Sequence, residues 1–163
     1  MKGTVILDDL DRRILRELQR DGSLSNPDLA HRVGSTAPSC WRRVRQMEEA
    51  GILLNAVRLA DQEMLGQGVN VVCQIRMRSH ATESVEAFES FVRSEERVME
   101  VFSMSGDWDY LLRIVAASVA DYEEFLMRIL LKHPSVGGAS SHFALRIVKY
   151  QTALPVSQGL NRA

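Results

Sequence analysis

Up to Met47 the apolar residues of this 163-residue chain keep a helical period near 3.6, and from residue 69 a period of two appears for the first time. Leu10, Ile14, Leu15 and Leu18 keep the helical spacing, followed by Leu29, Ala30 and Val33 and then by Cys40, Val44 and Met47. From residue 69 onward Val69, Val71, Cys73, Ile75 and Met77 alternate with Asn70, Gln74, Arg76 and Arg78, as in a half-buried strand. A helical segment followed by a mixed segment implies two packed units of different class. The polar stretch 60–68, with Gly66 and Gly68, marks the boundary, so the domains are expected at 1–60 and 61–163.

The composition, 45% hydrophobic and 25% charged, supplies real cores and is too apolar for a disordered chain. Apolar runs such as 114–117 fall far short of the ~20 residues that a bilayer requires. The first eight residues lack the basic start and long apolar stretch of a secretory signal, so a cytoplasmic location is expected. Cys40 and Cys73 are far apart, and His31, His80, His133 and His142 are scattered. With no second ligand at metal-binding spacing, both cysteines read as core packing, and no metal site or cofactor is expected.

Three helices are punctuated in the first part. Asp8 is a candidate N-cap with Asp11 three places on, and Asp21 and Gly22 stop the helix. Ser25 caps the second, with Pro27 and Asp28 in its first turn and Gly34 as a left-handed residue just beyond it. Thr36 caps the third, which Gly51 ends. A gap of about three residues between the second and third helices is the tight turn of a helix-turn-helix. Residues 53–59 read as a short strand or linker, so this part is expected to be a winged-type helix-turn-helix.

Beyond residue 68 the pattern predicts a strand, a helix at 81–94, strands at 98–104 and 109–116, a helix capped by Ser118, and a last strand at 139–150. Tyr122, Phe125, Leu126, Ile129 and Leu130 form the stripe of the second helix, with Pro134, Gly137 and Gly138 as its breakers. The order βαββαβ is the ferredoxin-like sandwich, an α+β fold with both helices on one face of an antiparallel sheet. No further helix remains to cover the other face. Apolar residues alternating along the last strand, Phe143, Leu145 and Ile147, point to a second subunit there.

In a helix-turn-helix the second helix of the motif enters the major groove, where base edges present a readable pattern. Between its buried positions the third helix leaves Ser39, Arg42, Arg43, Arg45 and Gln46 outward, and residues 37–46 contain no acid. Arginine grips guanine or phosphate, and glutamine pairs with adenine. A solvated basic face is the plainer alternative, and the tight turn before it weighs for DNA. Trp41 either packs against the first helix or lies against sugar-phosphate.

The run NPDLAHRVG from Asn26, CWRRVR from Cys40 and EEAGI from Glu48 resembles the DNA-binding domain of Lrp/AsnC (feast/famine) transcription regulators. SGDWDYLL from Ser105 matches a turn of the C-terminal domain in that family. The resemblance covers about Leu7 to Pro155. It implies operator DNA and a small amino acid effector as partners. It also implies a homodimer, or a larger ring of dimers such as a homo-octamer. Ser35 stands where members usually carry Leu, and Pro38 falls one residue early. Arg146 stands where the family usually has an acid. The ending, Phe143 and Ala144 and then VKYQTALP from Val148, is similar to a branch that includes cysteine-responsive and branched-chain amino acid regulators. Cysteine is therefore one candidate effector.

An amino acid zwitterion needs N–H donors for its carboxylate and an acceptor for its ammonium. Backbone amides at Ser105, Gly106 and Asp107 suit the former, as successive N–H groups in turns form anion-binding nests, and Asp109 suits the latter. The same turn also reads as a plain hairpin. The resemblance adds Ser103, Val119, Ser141, His142 and Phe143, although His142 on its own reads better as a surface or interface residue. Two other readings stand beside the regulator: a tetrapyrrole decarboxylase-like enzyme on the same scaffold, and a DNA-organising protein with no effector. Three arginines on one helix face disfavour the enzyme.

Overall fold

A computed structural model describes residues 7–156. Two compact units divide the described residues: 7–59 with 149–156, and Ala60–Val148.

In the first unit, α1 spans Asp9–Arg20, α2 Asn26–Val33 and α3 Ala37–Glu49. Each begins where a short polar side chain takes up an orphan N–H. Asp8 accepts from the Asp11 amide and donates its own N–H to the Asp11 carboxylate, a reciprocal capping box. Ser25 and Thr36 accept from the Asp28 and Ser39 amides. Only residues 34–36 separate α2 from α3. The chain turns there because Gly34 adopts φ 64° and ψ 51°, a left-handed conformation that a Cβ disfavours. Ile14, Leu15, Leu29, Ala30, Val33, Cys40 and Met47 form one buried cluster, which accounts for the helical period. Arg32 reaches Glu17 at 3.4 Å and ties α2 to α1.

No wing accompanies these helices among the described residues. Residues 53–59 form no strand, and after Leu53 the apolar Leu54, Val57 and Leu59 are exposed. The unit also gains a segment that the sequence pattern assigns elsewhere. Gln19 and Leu154 exchange two hydrogen bonds, at 2.7 and 3.2 Å, and Arg16 donates to the Val156 carbonyl at 2.9 Å. Val156 packs on the helical cluster. The expected second domain, 61–163, therefore differs from the observed unit at its C-terminal end, where residues 149–156 lie with the helices. A segment whose backbone is held by the Gln19 and Arg16 side chains of α1 carries no periodic signal to announce this.

The second unit is a four-stranded antiparallel sheet in the order β2-β3-β1-β4. The strands are β1 Val69–Met77, β2 Val98–Ser103, β3 Tyr110–Ala116 and β4 Val136–Ala144, with α4 Thr82–Ser94 and α5 Val119–Arg128 between them. Alternation places Val71, Cys73, Ile75 and Met77 of β1 in one core with Phe88 and Val92 of α4 and Tyr122 and Phe125 of α5. The stripe of α5 is cut short. Ile129 is exposed, and residues Leu130–Lys132 tighten into a 3-10 turn that buries Leu130.

The last strand is shifted from the expected 139–150. It starts at Val136, so Gly137 and Gly138 lie within it. A Cβ at Gly137 would sit 3.1 Å from the Met77 carbonyl oxygen and 3.2 Å from the Arg78 nitrogen. The glycine thus permits close backbone approach at the register shift between Arg76 and Met77. The strand ends at Ala144, so Leu145 and Ile147 do not continue its alternation, and both are exposed. Phe143 pairs with Val71 and turns to the helix side, its ring 5.4 Å from that of Tyr122. The face without helices is formed instead by Val72 and Gln74, paired across to Arg113 and Leu111 and to His142 and Ser140. Phe102, beside Leu111, extends that face and is exposed.

Candidate nucleic-acid interface and ligand region

The residues expected to meet DNA divide into two sets once α3 is seen against its neighbours. Trp41, Arg42, Arg45 and Gln46 are exposed and recur at the three-to-four spacing of a single helical stripe. Arg42 donates to Gln46 at 3.3 Å, the Arg45 guanidinium lies 6.0 Å from the Trp41 ring centre, and Arg45 reaches Glu48 at 3.5 Å. These are weak contacts at the surface, which leave both guanidinium groups available to phosphates or base edges. Trp41 is 55% exposed and belongs to the outward stripe. Ser39 is half-buried near the capped start of the helix, where its N–H donates to Thr36.

Arg43 is different. Its Nη1 donates to Asp8 at 2.6 Å and to Asp11 at 2.7 Å, the two residues of the capping box on α1. Those carboxylates raise its guanidinium still further above an already high range, the Asp11 hydrogen bond contributing most. Asp8 is held below the usual carboxylate range, first by the Asp11 amide and then by Arg43. Spacing alone groups Arg43 with Arg42 and Arg45 on the outward face, whereas the packing turns it inward. The sequence marks Asp8 and Asp11 as a cap, but no local signal pairs them with a residue 32 to 35 positions away.

The residues expected to hold an amino acid fall at three places in the second unit: the turn after β2, the start of α5 and the strand β4. Ser103, Ser105, Gly106 and Asp107 lie exposed at the end of β2 and in the turn that follows, with Gly106 at φ 120°. Arg76 braces this turn by donating from Nε to the Asp107 carbonyl at 3.2 Å and by lying 4.9 Å from the Trp108 ring centre. Asp109 is already engaged. It accepts from the Met77 amide at 2.6 Å and meets His80 Nε2 at 2.7 Å, and both contacts, the Met77 bond foremost, keep its carboxyl below the usual range. Val119 opens α5 beyond the opposite end of β3. The length of β3, six steps of ~3.3 Å, separates Val119 from the turn by about 20 Å.

Ser141 and His142 point to opposite faces of β4. Ser141 lies between the Tyr122 hydroxyl, at 2.5 Å, and the Cys73 thiol, at 3.8 Å. Burial pushes both the tyrosine hydroxyl and the thiol up. His142 faces away from the helices and lies 3.3 Å from the Ser140 hydroxyl. Among the described residues no group of three or more His, Cys, Asp or Glu is placed to hold a metal ion, and no helix is long and apolar enough to cross a membrane.

Two family models match this chain: the AsnC-type helix-turn-helix domain over residues 7–48 and the Lrp/AsnC ligand-binding domain over residues 70–154. The chain is 35% identical over 151 residues to the DNA-binding transcriptional activator DecR of Escherichia coli K12, covering 93% of this chain and 99% of that protein. It is 36% identical over 145 residues to the leucine-responsive regulatory protein of Rhizobium meliloti, covering 89% and 93%. Its fold matches a transcriptional regulator of Neisseria meningitidis crystallised with L-Met, with a TM-score of 0.89 and 33% identity over 92% of this chain and 97% of that one.

Proposed function

Because the chain belongs to the Lrp/AsnC family of DNA-binding transcription regulators, we propose that α3 reads an operator through Arg42, Arg45 and Gln46, with Trp41 and Ser39 beside them. The observation that carries this reading is the exposed stripe on a helix fixed behind a three-residue turn. Helices of this kind present side chains to the major groove, where arginine and glutamine discriminate guanine and adenine. The function is regulatory rather than enzymatic, as in the family's named members.

The second unit takes a small amino acid and joins two subunits. The relatives support the first point: one is named leucine-responsive and another was crystallised with L-Met. The separation of about 20 Å between the Ser105–Asp109 turn and Val119 favours a ligand bound where a second chain brings the two ends together, not within one subunit. Val72, Leu111 and Phe102 on the helix-free face support homodimerisation through the sheet, and a ring of such dimers is the larger form we infer. Such a regulator works in the cytoplasm.

The test uses a duplex selected from a random-sequence pool by the wild-type protein. Arg42→Ala should abolish its binding at moderate salt while the dimer persists in sedimentation. Unchanged affinity there would end the assignment of α3. A thermal-shift screen of the twenty amino acids tests the ligand reading, since a ligand that binds only the folded state raises the melting temperature. A screen with no shift, together with unchanged DNA affinity, would remove it.

A further inference from the structure

We propose that Arg43 is a positioning residue that sets the roll of α3 against α1 and makes no contact with DNA. This rests on α3 being the reading helix.

Two carboxylates, Asp8 and Asp11, converge on one nitrogen of the guanidinium at 2.6 and 2.7 Å. The Arg43 and Asp11 side chains retain only 21% and 15% of their exposure, and Arg43 Nε is buried with no hydrogen-bond partner among the described residues. Moving this guanidinium out to a phosphate would leave the Asp11 charge half-buried without its cation, a costly exchange. The cluster contains two acids and one base, so it offers a duplex net negative charge. An arginine there is not a phosphate clamp.

What the cluster does is mechanical. Asp8 and Asp11 are the N-cap and third residue of α1, and they already hold each other through the capping box. They are therefore a rigid pair of acceptors at a defined point on that helix. Arg43 leaves α3 between Arg42, which is outward, and Val44, which packs on the core. Rotating α3 about its axis would withdraw Arg43 from its acceptors and swing Arg42, Arg45 and Gln46 away from their present direction. Base-edge hydrogen bonds depend on that direction far more than general attraction to phosphates does.

The two roles make opposite predictions in one binding experiment. The probes are the duplex selected by the wild-type protein and a scrambled duplex of equal length, titrated by fluorescence anisotropy over a range of salt. If Arg43 positions α3, Arg43→Ala weakens the selected duplex tenfold or more and leaves scrambled-duplex binding and the salt slope unchanged. Asp11→Asn produces the same selective loss although it removes a negative charge near the DNA. Arg43→Lys keeps the charge but not the two-carboxylate grip, and shows the loss too, which guards against a poorly folded alanine variant.

If Arg43 binds phosphate instead, Arg43→Ala lowers the slope of log K against log salt by about 0.9 and weakens both duplexes alike. In that case Asp11→Asn tightens both, and Arg43→Lys restores binding. Any of these results overturns the proposal. Arg42→Ala in the same assay keeps the two questions apart: loss of binding there upholds α3 as the reading helix whichever way Arg43 behaves.

Discussion

Replacing Gly34 by alanine isolates the cost of one backbone conformation in the turn that sets α3 behind α2. Gly34 has φ 64° and ψ 51°, and a Cβ placed there meets nothing nearer than Arg13 Nη1 at 3.9 Å, an ordinary contact. No steric clash adds to the left-handed cost of about 1–2 kcal/mol, and the unfolded-chain gain of any Gly→Ala change offsets part of it, leaving a net loss of about 1 kcal/mol. Gly22→Ala in the same unit is the control. Its Cβ would meet Ala56 and the Leu18 carbonyl at 3.8 Å, and its φ is not in the left-handed range. Alanine there restricts the unfolded chain and stabilises by about 0.4–1 kcal/mol. Hydrogen exchange of the α2 and α3 amides reads the opening of this unit separately from the sheet. Gly34→Ala should accelerate it about 5-fold, while Gly22→Ala should slow it. Gly34→Asn should fall between wild type and alanine, because a short polar side chain tolerates this region. Unchanged exchange in Gly34→Ala, or equal effects at the two glycines, would refute the reasoning.

Two further outcomes concern the second unit. His133 stacks on Phe91 with ring centres 4.8 Å apart and meets Phe88 edge-on at 5.9 Å, and burial holds its imidazole below the ordinary value of 6.5. The unfolded chain therefore takes up this proton first as pH falls, so the contribution of the neutral ring is intact above 6.5 and is lost on acidification below it. The urea midpoint should drop between about pH 7.5 and about pH 5.5, and drop less in His133→Gln; equal slopes would exclude the histidine as the cause. Asp109→Ala leaves the Met77 amide without its acceptor, which should destabilise the protein by about 1–3 kcal/mol in urea with no amino acid present. An unchanged midpoint would mean that this carboxylate is free to serve a ligand alone.

The legible parts of the chain were those written in local chemistry. The caps at Asp8, Ser25, Thr36 and Ser118 lie where short polar side chains precede an apolar stripe, and the structure uses all four. Alternation in β1 gave its inward set, and the βαββαβ order led to the observed sheet. The boundaries of β4 were less legible, because Gly137 and Gly138 read as breakers when taken alone. Their place in a strand depends on how near the Met77 backbone comes. Periodicity also overextended the apolar pattern past Ala144, where Leu145 and Ile147 have no strand to belong to.

Within the candidate interface, sequence identified α3 and its arginines as a group but could not rank them. Helical spacing tells which residues share a face; it does not tell which edge of that face another helix will occupy. That was decided by α1, whose capping-box acids take Arg43 and leave Arg42 and Arg45 outward. The engagement of Asp109 by Met77 and the docking of Leu154 and Val156 on α1 are decisions of the same kind. What the sequence determined by itself is everything held within a turn of helix or between alternate residues of a strand. Tertiary structure decided the rest, because a partner more than thirty positions away leaves no mark on local propensity and is fixed only when the cores have packed.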